Sequence, residues 1–75
     1  MDLKEIEEKY SMALRLIDEG QEKEALVILN RCMRALERYI RNASGPQRIK
    51  ALILLRNVGK IQTQISENQF NPEKD

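Results

Sequence analysis

Four arginines, Arg31, Arg34, Arg38 and Arg41, recur at intervals of three and four. On a helix that spacing gathers them on one side, around Val27. A row of guanidinium groups is a surface for carboxylates or phosphates. The surrounding charge is uneven. Residues 1–24 hold eight acids and four bases, a balance of −4, whereas residues 25–60 hold eight bases and one acid, a balance of +7. Two readings follow. Oppositely charged helix faces attract one another weakly inside one domain, or the basic face meets an acidic partner.

Other chemistry finds few residues to carry it. The chain has no histidine and one cysteine, Cys32. An intrachain disulfide is therefore impossible, and a tetrahedral zinc site lacks its usual ligands. Cys32 falls on an apolar face and reads as a buried thiol. Gly20, Gly45 and Gly59 stand alone, so none belongs to a phosphate-cradling loop. Glu7 and Glu8, at a solvent-facing helix end, read as solubilising. Asn42-Ala43-Ser44 has the form of a glycosylation sequon. Its opening stretch MDLKEIEEKY is acidic and lacks the apolar core of a secretory signal, so the sequon reads as accidental. No apolar run approaches the roughly 20 residues of a membrane span. The expectation is a cytoplasmic, non-enzymatic domain with no metal and no cofactor.

Three helices are needed to position these residues. The first is expected over about 3–18, with Asp2 and Glu5 at capping-box spacing and Gly20 ending it in a left-handed conformation. Leu3, Ile6, Tyr10, Ala13, Leu14 and Ile17 form its apolar stripe. The second is expected over about 22–41, with Glu22 and Glu24 in the first turn, where the helix dipole favours negative charge. Its apolar set runs from Ala25, Leu26, Ile28 and Leu29 through Cys32, Met33, Ala35 and Leu36 to Tyr39 and Ile40. That set covers about half the circumference, so this helix should pack against two neighbours. NASGP breaks the chain, with Ser44 or Gly45 as cap and Pro46 opening a third helix over about 46–66. Its core stripe is Ala51, Leu54, Leu55, Val58, Ile61 and Ile65. Gly59 inside it costs about 1 kcal/mol relative to alanine, which points to close backbone approach. Residues 67–75, polar apart from Phe70, read as a flexible tail or linker. Short loops make successive helices antiparallel. The expected fold is all-α, an up-down-up three-helix bundle over residues 1–66.

Some apolar residues exceed what the core stripes need. Met12 and Leu16 lie off the stripe of the first helix. Leu26 and Met33 edge the second, and Leu52 edges the third. Ile49 and Ile53 point outward beside Arg56 and Lys60. An amphipathic peptide helix can lie in a groove between adjacent helices, although single exposed apolar residues are ordinary.

Ala13 is followed twelve residues later by Ala25, within Glu24-Ala25-Leu26. Leu29 then takes the aromatic position, and Cys32 the second small position, of an A-x-x-x-Y-x-x-A helix. QRIKALILLRNVGKIQTQI supplies a third helix of matching length and apolar spacing. With these motifs, residues 3–65 resemble the microtubule-interacting-and-trafficking (MIT) domain. The first two helices also resemble a single tetratricopeptide repeat; a third helix with no second repeat favours the MIT reading. The resemblance implies a non-catalytic adaptor that binds C-terminal tails of ESCRT-III proteins, in the groove between helices 2 and 3 or between helices 1 and 3. It implies a cytoplasmic domain recruited to endosomal or other membranes through such partners, without inserting into them.

Carried over position by position, the groove between helices 2 and 3 would be edged by Leu26, Asn30, Met33 and Glu37 with Leu52, Leu55, Arg56 and Gly59. Leu55 would sit at the central apolar contact. Met12, Leu16, Ile49 and Ile53 form an alternative surface. Family members often carry acids on helix 3 where this chain has Arg56 and Gly59, which points to a more acidic ligand, another groove, or a different partner. Two readings from other classes stand beside this one. A self-association or scaffold domain would use Ile49 and Ile53 in a symmetric contact, giving a weak homo-oligomer in place of a monomer. A nucleic-acid-binding face ranks last, because net charge is only +1 and no aromatic interleaves with the arginines.

Overall fold

A computed structural model describes residues 2–69 as three α-helices, α1 (Leu3–Asp18), α2 (Glu22–Asn42) and α3 (Gly45–Gln69). Met1 and the remainder of the expected tail, 70–75 with Phe70, lie outside the described residues.

Local chemistry accounts for each boundary. At the start of α1 the Glu5 N–H donates to Asp2 Oδ1 at 2.9 Å, and the Asp2 N–H to Glu5 Oε1 at 3.4 Å. This reciprocal box satisfies two N–H groups that a helix start leaves unpaired. At the other end Gly20 has φ +81°, a left-handed value that a side chain disfavours. That conformation lets the Gly20 N–H reach Ile17 O at 3.0 Å and the Gln21 N–H reach Leu16 O at 2.8 Å. The pair forms a Schellman cap, which turns the chain back within three residues. Glu22 and Glu24 lie in the first turn of α2 and Arg41 in its last, each matching the dipole. Gly45 has φ +60°, so the regular part of α3 opens at Pro46, whose fixed φ and missing N–H suit that place. The expected end at 66 was three residues short. Glu67, Asn68 and Gln69 continue the helix, since no glycine or proline intervenes before Pro72.

The helices pack as an antiparallel three-helix bundle whose axis is α2. Both α1 and α3 lie along α2, but they touch each other at few points. The broad apolar set of α2 is thus covered on two flanks, as its width required. Ile6, Leu29, Leu36, Val58 and Cys32 are the largest fully buried side chains. Leu3, Ala13, Ala25, Ala51, Leu54 and Ile65 complete the core, against which Tyr10, Ile17, Leu55 and Ile61 are partly buried. Two α1 assignments change. Leu14, placed in the stripe by its spacing, is exposed, and Leu16, placed outside it, packs against the core. With α3 meeting α1 so sparsely, the stripe of α1 turns towards α2 alone.

The register of the first pair is pinned where the Cys32 thiol donates to the Ile6 carbonyl at 3.8 Å. From that level α2 runs ten further residues to Asn42, whereas α1 has only three helical residues before Ile6. At 1.5 Å per residue, α2 overhangs the start of α1 by roughly 10 Å.

Ala13 and Ala25 are both fully buried, leaving no room for larger side chains beside the turn. Ala13→Leu should lower stability by about 1–3 kcal/mol through overpacking. Gly20→Ala should lower it by about 1–2 kcal/mol through left-handed strain alone. Thermal unfolding followed by circular dichroism measures both; an unchanged melting temperature for Ala13→Leu would contradict the packing described.

Candidate binding grooves on the two flanks of α2

Along the flank shared with α3, Leu26, Asn30, Met33 and Glu37 recur at helical spacing on α2, and Leu52, Leu55, Arg56 and Gly59 do so on α3. Two contacts close this seam. Gln62 Nε2 donates to Asn30 Oδ1 at 2.6 Å. A Cβ built on Gly59 would lie 3.8 Å from the Met33 methyl. In antiparallel register these contacts bring Glu37 level with Leu55. Met33, Leu55 and Leu26 are half-buried, Leu52 is 43% exposed, and Asn30, Glu37 and Arg56 are exposed.

The eight expected residues therefore share one seam, but the Asn30–Gln62 bridge divides it. Leu26 lies one turn beyond the bridge, apart from the stretch formed by Met33, Leu52 and Leu55. Gln62 was absent from the expected set, because its role depends on register across the helix pair. Gly59 differs from expectation as well. The backbones do not meet there, since its nearest non-local neighbour is a flexible methionine methyl at ordinary contact distance. The Thr63 hydroxyl donates to the Gly59 carbonyl at 3.0 Å, within the same helix.

The residues of the alternative surface differ in exposure. Leu16 is partly buried against the core, while Met12 stays exposed on α1. Ile49 and Ile53, one turn apart on α3, are 60% and 57% exposed.

A second groove lies on the other flank, on the basic side of α2. It has a volume of about 760 Å³ and is lined by Arg31, Arg34, Ala35, Arg38, Tyr39, Asn42, Ala43, Ser44 and Gln47. Over the stretch past Ala35, where α2 overhangs the start of α1, no α1 residue is available to wall the groove. Arg41, grouped with the other arginines by spacing, is not part of the lining. The Tyr39 hydroxyl donates to Gln47 Oε1 at 3.4 Å and ties the groove floor to α3. The arginine spacing marked this face in the sequence, and helix lengths carried a second signal: after so tight a turn, a longer second helix must outrun the first.

Cys32 is buried between α1 and α2, and burial raises its thiol pKa above 9.0, with Lys9 pulling weakly the other way. Among the described residues no group of histidine, cysteine, aspartate or glutamate side chains could hold a metal ion. No described helix is long and apolar enough to cross a membrane. No protein-family model matches the chain, and no curated protein or solved structure does either.

Two outcomes follow. Gly59→Ala finds room for its methyl and should stabilise the fold by about 1 kcal/mol, raising the melting temperature by about 4–8 °C. For Cys32 the raised folded-state pKa means the stabilising term is complete below pH 9.0 and is lost as pH rises through the folded value. Denaturant titrations should therefore show stability falling more steeply above pH 9.0 in the native chain than in Cys32→Ala; parallel curves would remove the assignment.

Proposed function

We propose that the chain is a non-catalytic protein-interaction module of the MIT type, docking a short helical or extended peptide in the seam between α2 and α3. One observation carries this reading. Met33, Leu52 and Leu55 leave apolar surface open along a seam whose rims are polar, which is the form a helix-in-groove site takes. Leu52 and Leu55 serve as apolar anchors. Arg56 and Lys60, both exposed, steer acidic groups of the ligand. The MIT-like motifs of residues 3–65 supply the partner class, C-terminal tails of ESCRT-III proteins, and through them a place at endosomal or other membranes. With Arg56 and Gly59 where acids often stand in that family, the favoured tail carries acids beside its apolar anchors.

Isotope-labelled protein titrated with a panel of ESCRT-III tail peptides tests both parts. Shifts should concentrate at Met33, Leu52, Leu55 and Gly59, and Leu52→Asp should weaken binding by about tenfold or more, as loss of an apolar anchor does. Shifts outside every interhelical groove would sink the placement. Absence of binding across the panel would sink the partner class.

The exposure of Ile49 and Ile53 favours a second reading, self-association through a two-fold contact on α3. Sedimentation of the native chain and of Ile53→Asp separates the two. A concentration-dependent dimer abolished by Ile53→Asp supports it; a monomer at high concentration removes it.

A further inference from the structure

We propose that the basic groove on α2 is a second docking site, for an acidic peptide segment of a protein partner. Its position is independent of the α2–α3 seam.

Charge complementarity carries the proposal. Arg31, Arg34 and Arg38 project from one side of α2 into a concave wall whose lining contains no carboxylate. Among the described residues none of these three guanidinium groups is held in an ion pair. Three fixed cations side by side repel one another, and an anionic ligand relieves that repulsion. Guanidinium groups are also suited to carboxylates, which they bind through two parallel hydrogen bonds.

The other wall adds donors. Gln47 accepts from Tyr39 through Oε1, which leaves its amide nitrogen to donate. Ser44 and Gln47 lie at the start of α3, the positive end of its dipole. The C-terminal carbonyls of α2 would oppose an anion, but two are occupied. Arg48 Nη1 donates to Ile40 O at 3.0 Å, and Asn42 Nδ2 to Arg38 O at 3.5 Å.

Dimensions favour a peptide over a nucleic acid. From Arg31 to Asn42 the groove extends about 16 Å along α2, room for about five residues of extended chain. A nucleic acid draws its affinity from a longer run of neutralised phosphates and from stacked bases. The cationic tract is short, the first 24 residues of the chain carry a balance of −4, and Tyr39, the aromatic of the lining, is half-buried with its hydroxyl engaged.

Fluorescence anisotropy with a fluorescein-labelled glutamate-rich peptide and the full chain tests this. Arg34→Glu and Arg41→Glu change net charge equally, yet only the first alters the groove. Saturable binding is expected, weakened by about tenfold or more in Arg34→Glu and little changed in Arg41→Glu. Leu52→Asp, on the other flank, should leave it intact, so failure here and failure of the seam reading are distinguishable. Circular dichroism confirms each variant's fold; if Arg34→Glu unfolds, Arg34→Gln replaces it with the same expected direction. Equal losses in the Arg34 and Arg41 variants, no binding by the native chain, or tighter binding to a single-stranded oligonucleotide of equal charge would each overturn the proposal.

Discussion

Ala25, Leu29, Cys32 and Leu36 of α2 are all fully buried, and the half-buried residues on either side of that line widen it beyond what one neighbouring helix can cover. Two helices must therefore clasp α2, and the rest of the architecture follows from that requirement. The left-handed glycine at 20 returns the chain for the first contact, and the break at Gly45-Pro46 returns it for the second. Since α1 and α3 each complete their burial against α2, little drives them together. The product is a slender rod, 44 × 18 × 15 Å, in which a few aliphatic side chains and one thiol make the core.

That economy determines what the surface presents. A domain of this size buries only about 60% of its unfolded-chain surface, less than a larger domain does. α3 in particular is apolar on more than one side: Ala51, Leu54, Val58 and Ile65 enter the core, while Ile49, Leu52 and Ile53 stay in water. The MIT-type proposal draws on the edge of this surplus, at the α2–α3 seam, and the self-association reading on its outer face. Both grooves on α2 are consequences of a long central helix flanked by helices of different length and register.

Much of the architecture was legible in the residues. The capping box of Asp2 and Glu5, the role of Gly20, the opening of α3 after Ser44-Gly45, and the need of α2 for two neighbours are local or periodic properties, visible wherever spacing and backbone preference suffice. Assignments that depended on a neighbour's position fared less evenly. Leu14 and Leu16 exchanged places because periodicity defines the angle of a stripe only to within a residue when the covering helix is absent. A glycine at 59 inside a helix points to backbone contact, yet its neighbour is the pliable Met33 side chain. Gln62 carried no distinguishing mark until Asn30 stood opposite it.

The sequence by itself determined three helices, the turns that join them, their antiparallel order and the basic character of one face of α2, because these depend on side-chain periodicity, turn chemistry and charge along a single chain. Only the tertiary structure decided which surfaces became grooves. The Asn30–Gln62 bridge and the overhang that leaves the basic groove open past the start of α1 both depend on register between helices. Register is set by how buried side chains such as Cys32 and Ile6 come to rest against one another, a contact between residues distant in the chain that no local pattern records.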